Sequence, residues 1–382
     1  MRDAVIIDAV RTPLGKRNGA LSGVHPADLS AIVLRTLAER TGIDPALVDD
    51  VVWGCVSQVA EQTFDIARTA VLSAGWPESV PGTTVDRQCG SSQQALHFAA
   101  ASVISGHYDL AVAGGVESMS RVPMGSAQTE GRSPLGRDYA ARYGPDFPNQ
   151  GLGAERIGRC WNLTREVVDA YALESHERAG RATDSGAFSA QIVPVVTPDG
   201  VTVADDQGIR RGGSMETMAG IRPAFRPDGM VTAGNSSQIS DGAVALLVTT
   251  SDRARELGLK PIARVHTAVV VGSEPTIMLT GPIPATHKAL SRSGLNLSEI
   301  GAFEVNEAFA TVPLAWLREF AIADKLLNPL GGAIALGHPL GGSGARLANT
   351  LVHHMRDNGI RYGLQTMCEG GGQANATILE LL

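Results

Sequence analysis

A short β-rich string comes back about 250 positions further along this chain, with a similar glycine-rich turn and helix near it each time. Val51-Val52-Trp53-Gly54 is echoed by Ala302-Phe303-Glu304-Val305, and His107-Tyr108-Asp109-Leu110-Ala111-Val112 by Arg361-Tyr362-Gly363-Leu364-Gln365-Thr366. Cys89 and His338 hold matching places between these strings, each in a glycine-rich turn before a helix. Matching offsets in the same order suggest two copies of one strand–helix unit. At 382 residues the chain has room for two or three core-forming units. The fold expected is α/β, with strands and helices alternating.

The local pattern agrees with that expectation. Strands are expected over residues 4–7, 51–56, 83–87, 109–113 and 363–367, with Gly114-Gly115 ending the fourth. Helical spacing runs over 26–41, 65–74 and onward from Ser91, where Ala95, Leu96, Ala99, Val103 and Ile104 recur on one face. Residues 118–236 break the alternation. They begin irregularly, with Arg121, Arg132, Arg137, Arg142, Pro145 and Pro148. A helix over 164–182 follows, capped by Thr164, with Val167, Val168, Tyr171 and Ala172 as its apolar face.

Composition mostly excludes. A formal net charge of -7 gives no global basic character for nucleic acid. Four cysteines are too few for a disulfide scaffold, no CxxC spacing suggests zinc, and their use fits a reducing compartment. The N-terminus, with Asp8 closing a very short apolar run, reads as a strand and not a signal peptide. No stretch reaches the roughly 20 apolar residues of a membrane span. A cytoplasmic protein with no membrane partner is expected. The 44 glycines cluster near two cysteines and a histidine, where flanking glycines allow close backbone approach to a ligand.

The chemistry is concentrated in four strings. Asp86-Arg87-Gln88-Cys89-Gly90-Ser91-Ser92 places a thiol where a strand turns into a helix, so the helix N-terminus is expected to lower its pKa. Gly337-His338-Pro339-Leu340-Gly341 offers an imidazole; Ser343 stands where a phosphate loop needs lysine, which excludes nucleotide binding. Met367-Cys368-Glu369-Gly370-Gly371-Gly372 closes a strand with a second thiol, and Val305-Asn306-Glu307-Ala308-Phe309-Ala310 supplies a neutral amide. A thiolate, a base and a second thiol can together make and break carbon–carbon bonds in thioesters. Cys55 and Cys160 lack such settings and read as inert, and Glu307 reads as structural.

These four strings in this order resemble the thiolase family, as do Arg11-Thr12-Pro13-Leu14-Gly15-Lys16 and Thr232-Ala233-Gly234-Asn235-Ser236-Ser237-Gln238. The resemblance runs from Val5 to Leu381. It implies a layered α-β-α-β-α fold, with an N-terminal half over 1–117 completed by about 237–260 and a C-terminal half over 261–382. A loop domain over 118–236 would cover the coenzyme A site. It implies Cys89 as nucleophile, His338 as its base, Cys368 as the acid or base at the α-carbon, and the Gly370 and Cys89 N–H groups as one oxyanion hole. Asn306, through a water, and His338 would form the other. Ser237 and Phe309 would line the pantetheine path; the arginines of the excursion, with Arg210, Arg211 and Arg222, are phosphate candidates only. Coenzyme A enters as a substrate, no metal or redox cofactor is required, and a homodimer or homotetramer is implied.

The Cys89 string looks like that of degradative 3-ketoacyl-CoA thiolases, with a short-chain acetoacetyl-CoA thiolase or a non-catalytic acyl-CoA carrier as alternatives. The Cys368 string resembles actinobacterial thiolases, some used on long-chain or sterol-derived acyl groups. A ketoacyl synthase would place a histidine or asparagine where Cys368 stands.

Overall fold

The computed structural model describes residues 2–129, 132–146 and 148–382. Its first half is built from β1 (Val5–Arg11), α1 (Pro26–Thr41), β2 (Asp50–Gly54), α2 (Ile66–Ser73), β3 (Gly82–Val85), α3 (Ser91–Ser105) and β4 (Leu110–Ser118). After an excursion carrying α4 (Gln150–Cys160) and α5 (Arg165–Asp184), β5 (Ser240–Thr249) completes this half. The second half runs β6 (Ala263–Gly272), α6 (Pro282–Ser293), β7 (Ala302–Val305), α7 (Thr311–Phe320), α8 (Leu340–Asn358), β8 (Tyr362–Glu369) and β9 (Gln373–Leu381).

Local sequence explains these boundaries. α1 starts where His25 accepts the Ala27 N–H and Pro26 takes the first turn, and it stops at Gly42 in the left-handed region (φ 70°). Its Leu29, Val33, Leu34 and Leu37 are fully buried, at the spacing of one helical face. β4 and β5 are buried at every position, as strands covered on both faces must be. Each fully buried valine or leucine there stabilises the fold by about 1.5–3 kcal/mol.

The sheet order is β7-β8-β9-β6-β1-β5-β4-β2-β3, with the short strand Gly15–Lys16 paired to β5 as a tenth. The halves meet where β1 and β6 pair antiparallel over two residues, Val5 with Arg264 and Ile6 with Ala263. Outward from that seam the order repeats: β5 matches β9, β4 matches β8, and β2 matches β7, with β2·β4 and β7·β8 both parallel. The partner of β3 in the second half is reduced to a single bridge, Phe303 to Leu327. The echoed strings are therefore the equivalent strands β2/β7 and β4/β8.

α3 and α8 lie side by side as the middle layer. From α3, Gln93 and His97 bond to Thr377 of β9, so this layer ties the half-sheets together. α1 and α2 cover the first half-sheet on its outer face, while α6 covers the second. This gives the α-β-α-β-α order.

Several expectations need correction. The fourth strand does not end at Gly114-Gly115 but runs through to Ser118. A Cβ at Gly115 would lie 2.2 Å from the Gly341 carbonyl oxygen, so glycine here reflects close packing against α8 and not a turn. The second strand stops at Gly54 and the third at Val85, leaving Asp86 to Gly90 as a free-standing turn. Val167 is exposed, and the inner face of α5 is carried by Val168, Tyr171, Ala172 and Ala179. Among the described residues, no helix is long and apolar enough to cross a membrane.

Candidate active site

Cys89 sits in the turn between β3 and α3. Gln88 takes φ 50°, and Ser91 clamps the turn by accepting from the Arg87 N–H at 2.9 Å and donating to the Gln88 carbonyl at 2.6 Å. Gly90 is the N-cap of α3. His338 holds the equivalent place before α8, after Gly337 at φ 115°. The two helix starts are joined where the Ala345 N–H donates to Ser92 Oγ at 2.9 Å.

Two further groups arrive from the ends of parallel strands. Asn306 follows β7, and its N–H donates to the Thr366 carbonyl of β8 at 3.1 Å, two residues before Cys368. Cys368 lies inside β8 and not after it, paired with Ala374 across the hairpin. The hairpin turns on Gly371 and Gly372, both at positive φ. A Cβ on Gly370 would lie 2.9 Å from Gln88 Oε1, so Gly370 sits against the Cys89 turn. The structure thus gathers Cys89, His338 and Asn306 from three loops, and Cys368 and Gly370 from the end of β8 and its turn.

Hydrogen bonds settle the state of the histidine. Ser343 Oγ donates its one proton to the Pro339 carbonyl at 2.8 Å, so at 2.6 Å it accepts from His338 Nδ1–H. Nε2 then carries the lone pair and faces Asn306 Nδ2 at 3.4 Å. Burial, aided by the Arg346 charge, pushes His338 down to about 3, and the ring is neutral. The imidazole is therefore a neutral base held in one tautomer. Asn306 Oδ1 is buried without a partner among the described residues.

The helix N-terminus does not lower the thiol as expected. Burial, with Glu369 next in weight, pushes Cys89 up to about 12. Cys368 is also raised, first by burial and then by the neighbouring Cys89 and Glu369, whose ionised forms would disfavour a second negative charge. In the closed site both are thiols.

Ser237 and Phe309 are brought together: the Ser237 N–H donates to the Ala308 carbonyl at 3.0 Å, and Ser236 bridges Phe309. The next residue, Gln238, accepts the His338 N–H at 3.1 Å, so this strip leads from Phe309 to the histidine. Phe309 meets Phe225 edge to face with ring centres 5.9 Å apart. Cys368 belongs to an apolar cluster with Ile157, Val231, Met278, Leu279, Ala308 and Val312, part of it from the excursion.

Some residues that shape the site were missed in the sequence. Glu117, buried at the end of β4, accepts from the Val56, Ser57 and Gly341 N–H groups and from Gln62, holding the start of α8 against the first half. Glu307, expected from the sequence to be structural, accepts from Tyr171, Ser175, Asn328 and the Ile334 N–H, which fastens α5 to the loop before His338. Ser343, the histidine's partner, looked like one more small residue in a glycine run. Of the excursion's arginines, Arg121 pairs with Glu61 and Arg211 with Asp184. Arg210 and Arg222 have no ion pair among the described residues.

Comparison with known proteins gives matches over the whole chain. The family described as "Thiolase, N-terminal domain" matches residues 4–252, and "Thiolase, C-terminal domain" matches residues 259–381. The chain is 50% identical over 389 residues to the steroid 3-ketoacyl-CoA thiolase FadA6 of Mycobacterium tuberculosis, covering 100% of this chain and 95% of that one. It is 47% identical over 390 residues to the 3-ketoacyl-CoA thiolase of Escherichia fergusonii, covering all of both. The crystal structure of the Bacillus anthracis acetyl-CoA acetyltransferase superposes with a TM-score of 0.92 at 37% identity, covering 100% of this chain and 99% of that one.

Proposed function

The chain belongs to the thiolase family, and on that premise we propose that it is a degradative 3-ketoacyl-CoA thiolase working by acyl transfer through Cys89. It is an acyltransferase, and the full-length relatives' names do not favour the short-chain alternative. The observation that carries the mechanism is the neutral His338, whose Nδ1–H is held by Ser343 so that Nε2 keeps a lone pair, which at rest faces Asn306 Nδ2.

In cleavage, His338 Nε2 takes the Cys89 proton as sulfur attacks the 3-keto carbon of the acyl-CoA. Because the resting pair is neutral, proton transfer goes with attack and does not precede it. The oxyanion forms opposite the Cys89 and Gly370 N–H groups. The bond between the α-carbon and the 3-keto carbon breaks, its electron pair forms the acetyl-CoA enolate, and the Cys368 thiol protonates that carbon. The raised Cys368 suits an acid that must still hold its proton at this step. The thioester oxygen of the enolate sits at His338 and at a water held by Asn306. Free CoA then attacks acyl-Cys89; its thiol proton replaces the one Cys368 gave up, His338 returns the other to Cys89, and a shortened acyl-CoA leaves.

Coenzyme A is a substrate, its pantetheine running along Ser237 and Phe309 toward Cys89, with Arg210 and Arg222 among the candidates for its phosphates. The segment over 118–236 acts as the covering loop domain between the two halves. The protein works in the cytoplasm as a homodimer or homotetramer, which light scattering tests. Thiolysis of acetoacetyl-CoA beside longer 3-ketoacyl-CoAs and a sterol side-chain thioester tests the activity. Turnover of the longer or sterol-derived substrates is expected; CoA binding with no turnover of any would refute the reading.

A further inference from the structure

Glu117, next to last in β4, is fully buried, and its carboxyl group accepts hydrogen bonds and donates none. The Val56 and Gly341 N–H groups reach one oxygen at 3.0 and 2.8 Å. The Ser57 N–H and Gln62 Nε2 reach the other at 3.0 and 2.7 Å. Apart from Gln62 these donors are backbone, and Gln62 is fixed in orientation because its Oε1 accepts the Ser118 N–H at 2.7 Å. Burial pushes the Glu117 pKa up, but a proton on either oxygen would displace a donor, so the group works as a carboxylate.

Two of these donors stand behind the two reacting groups. Gly341 is the second residue of α8, three places after His338, and its N–H is one that a helix start leaves without an intrahelical partner. A carboxylate there also meets the positive end of the helix dipole. Val56 follows Cys55, whose N–H donates at 3.1 Å to the carbonyl of Val85, the last residue of β3 before the Cys89 turn. Where these two supports meet, no side chain sets their spacing: a Cβ on Gly341 would stand 2.3 Å from the Val116 carbonyl oxygen and 2.7 Å from Cys55 Cα. One carboxylate thus bonds the backing of Cys89 and the helix start beside His338 together.

We propose that Glu117 is a positioning residue that sets the reach from His338 to Cys89: its carboxylate clamps the loop behind the Cys89 turn and the first turn of α8 to the end of β4. The inference rests on Cys89 being the acylated thiol and His338 its base. The bonds of Glu117 go to the supports of these two residues and not to the residues themselves, so it acts through them. A misplacement of about 1 Å between reacting groups costs about a hundredfold in rate. The strip at Ser237 and Phe309 takes no part in these bonds, so substrate binding is spared.

The test is single-turnover acylation from a 3-ketoacyl-CoA, with the acylated peptide identified by mass spectrometry and folding followed in urea. Glu117→Asp keeps the charge but withdraws it by about 1.5 Å, so Val56 and Gly341 cannot both reach it. Acylation and kcat fall about tenfold to a hundredfold, while KM for CoA stays within about twofold. Glu117→Gln keeps the length but loses the charge that roughly doubles such bonds. It gives a smaller fall, and serves if the aspartate variant does not fold. Gln62→Leu loosens the same loop yet leaves the Val56 and Gly341 bonds in place; its urea midpoint drops while acylation stays within about twofold of wild type. Wild-type acylation in a folded Glu117 variant overturns the proposal, and so does an equal fall in Gln62→Leu, which makes the effect one of general loosening. Acyl label on a residue other than Cys89 refutes the nucleophile assignment, and this inference with it.

Discussion

Replacing Ser343 by alanine removes one hydroxyl and, on the present account, most of the catalytic rate. That hydroxyl is the acceptor for His338 Nδ1–H at 2.6 Å, and it is aimed there by its own bond to the Pro339 carbonyl. Without it, the Nδ1–H is buried and unpaired, which costs about 1–3 kcal/mol. The ring escapes that cost by moving its proton to Nε2, and then has no lone pair for Cys89. A penalty of that size lowers the competent population by about 5- to 150-fold. In single-turnover acylation and steady-state thiolysis the drop falls on the acylation rate and kcat, while KM for CoA stays close to wild type. Ser343→Thr, which restores a hydroxyl, recovers part of the rate. Nitrogen NMR of the imidazole in Ser343→Ala shows Nε2 protonated. A folded Ser343→Ala with acylation within twofold of wild type, or an unchanged tautomer, refutes the reasoning.

Other outcomes follow from the same geometry. Cys368→Ala still acylates Cys89 from a 3-ketoacyl-CoA but no longer exchanges the α-protons of acetyl-CoA with deuterated water; retained exchange removes Cys368 from its role. Gly115→Ala drives a methyl to 2.2 Å from the Gly341 carbonyl oxygen, and the backbone shift costs about 3 kcal/mol, seen as a lower midpoint in urea; an unchanged midpoint contradicts the close seam. Acid should weaken the fold. His97 and His338 are held down to about 3, and His176 and His353 to about 4, all below the ordinary 6.5. The unfolded chain therefore binds protons that the folded chain refuses, so stability present above pH 6.5 is lost as pH falls toward 4, at roughly 1.4 kcal/mol per unit per histidine. Flat stability across that range contradicts the buried neutral rings.

Much of this was legible in the chain because the informative features are local. A strand, a glycine turn and a helix around Cys89, and the same order around His338, give away both the duplicated unit and the places of the thiol and imidazole. What escaped depends on contacts far apart in sequence. Gly114-Gly115 reads as a strand end, yet it continues β4, since the reason for glycine lies in α8. Glu117 and Gly341 are 224 positions apart, and nothing near either announces their bond. The helix N-terminus at Cys89 was visible, whereas the burial and the Glu369 carboxyl that outweigh it belong to the other half. Glu369 itself looked like one polar residue before three glycines.

The central claim is that acyl groups pass through Cys89. Quenching the enzyme during cleavage of a 3-ketoacyl-CoA with CoA withheld, then mapping the added mass, tests it most directly. The account predicts one shortened acyl group on the peptide carrying Cys89, discharged by CoA and absent from Cys89→Ala. Acyl mass on Cys368, or undiminished thiolysis by Cys89→Ala, would contradict it.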